Sequence, residues 1–188
     1  FKLDPETAHN LAIKALKFNY IPNKKIQKNK ILELDIFGKK IPNPVGIAAG
    51  FDKDAEVYNS LFKLGFGFVE VGTVTPLKQY GNPKPRVFRL EEDEALINRL
   101  GFNNSGSDKV RSRILSNSPS GLLGVNIGPN KDTKDRVKDY LVGLRKFHDI
   151  GDYLTVNISS PNTENLRSFH KDEAVSYTHL RAHETTNY

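Results

Sequence analysis

The chain has 188 residues, 37% hydrophobic and 27% charged, the proportions of one globular domain with room for a real core. No apolar run approaches the roughly 18 residues needed to cross a bilayer, and no signal peptide opens the chain; with no cysteine, disulfides, thiolate metal sites and a cysteine nucleophile are excluded. Of the net charge of +6, most sits in residues 1–40, where nine lysines face four acids, a basic end suited to lipid headgroups or nucleic acid unless Lys24, Lys25, Lys28 and Lys30 form an ordinary solvated loop.

In chain order, Asp4 can cap a helix with Pro5 in its first turn. Ala8, Leu11, Ala12, Ala15 and Leu16 then fall on one helical stripe. Residues 31–37 alternate, turn at Gly38 and resume at Ile41, which predicts a hairpin. From Pro44 the pattern becomes strand, loop, helix, repeated. Strand 45–49 leads to a helix from about Asp54 carrying Val57, Leu61 and Leu64 and stopped by Gly65. Strand 68–71 runs into Gly72 and Thr73, followed by a long polar excursion with a second hairpin around 86–99. A helix near 108–115 and strand 122–127 follow. Next come a helix with Val137, Tyr140, Leu141 and Leu144 on one face, and strand 153–158. Such alternation implies parallel βαβ units. Residues 174–188 break the pattern and are read as a non-native tail; His179 and His183 stand there at helical spacing, but no third ligand accompanies them, so no metal site is assigned.

Glycine, amide and hydroxyl residues gather at the end of each strand: Ala48-Ala49-Gly50, Gly72-Thr73, Asn126-Ile127-Gly128 and Asn157-Ile158-Ser159-Ser160. In a (β/α)8 barrel these ends meet on one rim, where active sites sit. Loops of this composition also arise simply because they turn, but four in register favour a site. Amides and hydroxyls without net charge suit a neutral heteroaromatic ring better than a triphosphate. The chain lacks GxxxxGK[ST], HExxH, GxSxG and GxGxxG patterns, so phosphate-loop, zincin, hydrolase-elbow and Rossmann readings have no support.

Five segments in this order carry a specific resemblance: NPVGIAAGFDKD (43–54), EVGTVTP (70–76), INRLGFNNSG (97–106), GVNIGPNKDT (124–133) and VNISSPNTENLR (156–167). They resemble the signature segments of class 2, quinone-linked dihydroorotate dehydrogenases, and the DPETAH start resembles that class's N-terminal helical extension. The resemblance implies an α/β fold, the N-terminal part of a (β/α)8 TIM barrel preceded by a small helical extension and a hairpin, and cut after about four barrel strands. It divides the chain into residues 1–30 (extension on the membrane and quinone side), 31–173 (first half of an FMN-binding barrel) and the tail 174–188.

The resemblance further implies that Ala49, Gly50, Phe51, Asp52, Lys53, Thr73, Asn126 and Asn157 hold FMN. Lys53, Asn98, Arg99, Leu100, Gly101, Phe102, Asn157 and Asn162 would hold dihydroorotate or orotate. Ser160 would be the base that takes the C5 proton as hydride leaves C6, a task for which serine needs a water or hydroxyl relay. The soluble class 1 enzymes use cysteine at that position, and serine here points to a quinone oxidant. The implied activity is oxidation of dihydroorotate to orotate in pyrimidine synthesis, with the fragment by itself inactive. The basic, amphipathic N-terminal region would rest on anionic lipid, with Leu11, Leu16 or His9 bordering the quinone path. Without a visible transit peptide, the expected location is the cytoplasmic side of a bacterial inner membrane ahead of the mitochondrial inner membrane. The alternatives are another FMN-barrel pyrimidine oxidoreductase, disfavoured by the serine of NISSPN, and a basic nucleic-acid-binding module. No binding motif supports the latter, and no nucleic-acid partner is expected.

Overall fold

The computed structural model describes residues 3–18, 29–163 and 166–167. The lysines at 24, 25 and 28 and the tail with its two histidines lie outside the described residues.

Helix α1 (Pro5–Lys17) starts as its cap predicts: the Asp4 carboxylate accepts the Thr7 N–H at 2.9 Å, and Pro5 fills the first turn. Its inward face differs from the predicted stripe. Ile13 is the buried residue, with His9 and Leu16 on the same side, while Leu11 is 49% exposed. The alanines blur the phase of the stripe, and contact with the body is set by the larger groups. Residues 30–32 form a 3-10 turn instead of strand. After it, β1 (Leu34–Ile36) and β2 (Lys39–Ile41) make the predicted hairpin, turning through Phe37 and Gly38, both at positive φ.

Four parallel strands follow: β3 (Gly46–Ile47), β4 (Phe68–Val74), β7 (Leu122–Ile127) and β8 (Tyr153–Val156), in that spatial order. Between them lie α2 (Tyr58–Lys63), α3 (Ser107–Ser116) and α4 (Arg136–Phe147). The hairpin β5 (Val87–Leu90) with β6 (Ala95–Asn98) is inserted between β4 and α3. This is an unclosed part of an α/β barrel wall. The strand β3 is shorter than predicted, and α2 begins at Tyr58 because residues 50–57 are occupied by turns. The Asp52 carboxylate accepts the N–H groups of Glu56 and Val57 there, at 2.7 and 2.8 Å.

The register places two kinds of face on the sheet. Val69, Val71, Leu123, Val125 and Ile127 point to the helices and form the core with Tyr58, Leu61, Val110, Ile114 and Phe147. Glu70, Gly124 and Tyr153 lie abreast on the other face, with Asn126 beside Thr155. Gly124 is required by its neighbour, because a Cβ there would lie 2.1 Å from the Tyr153 ring. On α4 the buried positions are Tyr140, Gly143 and Phe147, whereas Val137 and Leu141 are exposed. Gly143 lets the helix approach Ile127 and so rotates the inward face away from the predicted one.

Candidate functional site

The C-terminal ends of the four strands enclose an open cleft of about 420 Å³. Its wall brings together Ala49, Gly50, Lys53, Thr73, Asn98, Leu100, Gly101, Phe102, Asn126, Asn157, Ser160 and Asn162, most of the residues singled out from the sequence. Three of those residues point elsewhere. The Asp52 side chain is a buried cap for the 50–57 turns, its pKa raised by burial and moderated by the two N–H groups it accepts. Phe51 packs edge-on against His9, with ring centres 5.2 Å apart. Arg99 turns outward, donating to the Pro85 carbonyl and lying over Phe88.

Backbone hydrogen bonds lock the first two strand ends to each other: the Gly50 N–H donates to Gly72 O at 2.8 Å, and the Gly72 N–H to Asp52 O at 3.1 Å. Gly72 has φ +108, and a Cβ there would stand 2.4 Å from Asn126 O, so no side chain fits. Gly50 is the opposite case. At φ +110, a Cβ built on it meets nothing within 4 Å, so the backbone is bare toward open space.

The polar groups form one connected chain. Asn157 Nδ2 donates to Thr73 Oγ1 at 3.0 Å, and Thr73 Oγ1 donates to Asn126 Oδ1 at 2.6 Å. Asn126 Nδ2 donates to Glu70 Oε1 at 2.8 Å, and Thr155 Oγ1 donates to Glu70 Oε2 at 3.0 Å. Opposite, Lys53 Nζ donates to Gly50 O at 2.5 Å. Burial lowers the Lys53 pKa below a lysine's usual value, with the charge of Glu6 the largest opposing influence. Ser160 Oγ accepts the Asn162 N–H at 3.3 Å, and Asn162 Nδ2 reaches Asn98 Oδ1 at 3.4 Å. Asn104 braces the loop carrying Phe102: its side chain binds Thr75 N, Thr75 Oγ1, Gly106 N and Phe102 O. Sequence reasoning missed Glu70 and Asn103, which also line the cleft. The signal for Glu70 was a lone acid within a strand whose neighbours are apolar.

A second cleft, of about 350 Å³, lies under α1, walled by Glu6, His9, Ile13, Phe51, Arg89 and Leu96 among others. Gly50, Lys53, Leu100 and Asn103 line both clefts and form the partition between them. His9 borders this space, whereas Leu11 and Leu16 do not. Burial lowers the His9 pKa, and the charge of Lys53 adds to the effect. Glu6 holds α1 in place through a paired contact with Arg86, whose guanidinium stands 2.8 Å from the carboxylate. Among the described residues no cluster of acids and histidines could hold a metal ion, and no helix is long and apolar enough to cross a membrane.

Comparison with known proteins is consistent in both sequence and structure. The family profile described as dihydroorotate dehydrogenase matches residues 31–187. A dihydroorotate dehydrogenase (quinone) of Rhizobium etli is 52% identical over 94% of this chain and 49% of its own length. The protein of that name from Bartonella tribocorum is 54% identical over 93% of this chain and 48% of its own. Among solved structures, Eimeria tenella DHODH in its ligand-free form superposes with a TM-score of 0.86 at 44% identity, covering 92% of this chain and 50% of that one. The same enzyme in complex with ferulenol gives 0.85 at 43% identity. The chain spans about half the length of the curated relatives it matches.

Proposed function

Because this chain belongs to the dihydroorotate dehydrogenase family, we propose that the protein it forms part of oxidises dihydroorotate to orotate, with FMN as hydride acceptor and a quinone as final oxidant. The observation that carries this reading is the convergence of Lys53, Thr73, Asn126, Asn157 and Ser160 on one cleft at the strand ends. The residues present fit a flavin ring: bare backbone at Gly50 offers a close approach, and the two amides offer directional hydrogen bonds without net charge.

FMN held there by Gly50, Thr73, Asn126 and Asn157 would supply a hydride acceptor and a route for electrons to the quinone. The chain supplies the rest. Lys53 pairs its ammonium with the substrate carboxylate, while Asn98, Asn157 and Asn162 orient the ring by its amide edges. Ser160 receives the C5 proton as the C5–C6 double bond forms, and a water or hydroxyl relay deprotonates it. The cleft under α1 is the reading's place for quinone, and Leu3, Leu11 and Phe18 on the outer side of α1 would rest in the headgroups of an anionic membrane. On this reading the protein works at the cytoplasmic face of a bacterial inner membrane. The 188 residues by themselves are inactive on this reading, because barrel phosphate sites usually follow strands 7 and 8 and the described residues hold four strands of this sheet.

The test uses the full-length protein. Purified material should carry FMN and reduce a short-chain quinone with dihydroorotate, in preference to NAD or fumarate. Ser160→Ala should keep the flavin and slow its reduction by dihydroorotate about 100-fold or more. Activity with NAD alone, or a Ser160→Ala protein as fast as the parent, would overturn the reading.

A further inference from the structure

We propose that Glu70 is a positioning residue for the two ring-binding amides: its two oxygens set the polarity of the hydrogen-bond chain, so that Asn126 and Asn157 each keep an N–H available to the cleft.

The chain of donors starts at its acidic end. Glu70 Oε2 takes the Thr155 hydroxyl, and Oε1 takes an N–H of Asn126. A carboxylate oxygen offers no proton in return, so Asn126 must turn its Nδ2, and not its Oδ1, toward Glu70. Its Oδ1 then faces Thr73 and calls for a donor, which the Thr73 hydroxyl supplies. A hydroxyl has one proton; with that proton committed, Thr73 Oγ1 can only accept from its other neighbour. Asn157 therefore presents Nδ2 to Thr73, and its Oδ1 receives the Ser159 N–H at 3.2 Å. One acid thus decides the orientation of two amides, each of which could otherwise sit either way round.

Each Nδ2 carries two protons and spends one within the chain. The second N–H of Asn126 and of Asn157 has no partner among the described residues, and both residues line the cleft. The site therefore shows a donor face, suited to a ring edge made of acceptor atoms. Glu70 and Lys53 are the only charged side chains in this wall among the described residues. Tyr153 lies near Glu70, and its hydroxyl pKa is raised above the usual tyrosine value by burial first and further by the charge of Glu70. Glutamine in its place would keep one acceptor for Asn126 Nδ2 and could give its own N–H to the Thr155 hydroxyl, which accepts as well as donates, so the polarity survives; leucine removes both acceptors and leaves Asn126 able to sit either way round.

This inference rests on the FMN reading above and says which property of the site Glu70 controls. The test titrates FMN into the full-length apoprotein and records the dissociation constant, the visible flavin spectrum and the melting temperature of the apoprotein. Glu70→Leu should raise the FMN dissociation constant about tenfold or more, the effect of a hydrogen bond lost at a buried group, and displace the visible band, whereas Glu70→Gln, which can keep an acceptor on Asn126, should stay within about threefold. Thr155→Val removes the other donor to Glu70 while leaving the Asn126 contact, and should keep the constant within about threefold. An unchanged constant and spectrum in Glu70→Leu would overturn the inference. So would a tenfold loss in Thr155→Val, which would make the network simple packing; if Glu70→Leu does not fold, the Thr155→Val result decides. Failure of the parent protein to bind FMN would instead remove the reading underneath, and the inference with it.

Discussion

Lys53 stands with its stem half-buried in the partition and its ammonium on the Gly50 carbonyl. Its charged form is disfavoured by burial, so its pKa lies below the ordinary 10.5. The folded chain then binds fewer protons than the unfolded one between that lowered value and 10.5, and stability rises with pH across this window. Substrate binding has the opposite sign, because the carboxylate needs the charged form. The dihydroorotate KM is expected to climb with pH through the lowered pKa, at a lower pH than an exposed lysine would give. Lys53→Met should raise KM about tenfold or more and abolish that dependence. A KM profile identical in both proteins would exclude the carboxylate contact. Lys53 stood out in the sequence through the family resemblance of its segment and not through its local pattern, since the helix expected from about Asp54 begins at Tyr58. The resemblance also put Asp52 among the flavin contacts; its side chain caps the N–H groups of Glu56 and Val57, which become its neighbours only once residues 50–57 coil back. Glu70 was passed over because its meaning lies across the sheet, in the Asn126 amide 56 residues away and the Thr155 hydroxyl 85 residues away.

Helix α1 is held at both ends. Near its start Glu6 meets Arg86, whose side chain is 8% exposed and also donates to the Tyr80 and Asn82 carbonyls. At its end Lys17 meets Glu56 at 2.8 Å, an exposed pair worth under about 1 kcal/mol. The first pair is the stronger hold: the Arg86 hydrogen bonds keep the Glu6 pKa below the usual glutamate value, so its stabilisation is present above 4.5 and lost as pH falls through the lowered pKa. Arg86→Met should lower the unfolding free energy by about 2 kcal/mol, since it leaves a mostly buried acid with only the exposed Lys84, 3.7 Å away, as its cation. Denaturant titration of the full-length protein reads this directly, and a change below 1 kcal/mol would argue that α1 is held by apolar contact alone. The cap at Asp4, the Phe37–Gly38 turn and strand β7 were all legible because their causes are local. The inward faces of α1 and α4 were not, because alanine and glycine carry little phase information and the partner surface decides the rotation.

At the scale of the molecule, the sheet has two end strands, β3 and β8, each with one free side among the described residues. Beside β8 stand Val137, Leu141 and Val156, all more than 40% exposed. An open strand edge next to uncovered apolar groups invites association. The 188-residue chain expressed by itself is expected to elute as associated species in size-exclusion chromatography with light scattering, and a monodisperse monomer would contradict this. The strand-helix alternation announced the barrel wall, and the strand ends announced the site, because both are repeated features. The insertion of β5 and β6 as the far wall of the second cleft was not legible, since nothing in a hairpin's own residues says where it will lean. The partition of Gly50, Lys53, Leu100 and Asn103 has a further consequence, for kinetics. On the proposed reading, two clefts that share these four wall residues would let a water-soluble acid and a lipid-soluble oxidant use the same bulkhead from opposite sides. A molecule lodged beneath α1 would then lower the maximal turnover while leaving the apparent fit of the acid untouched.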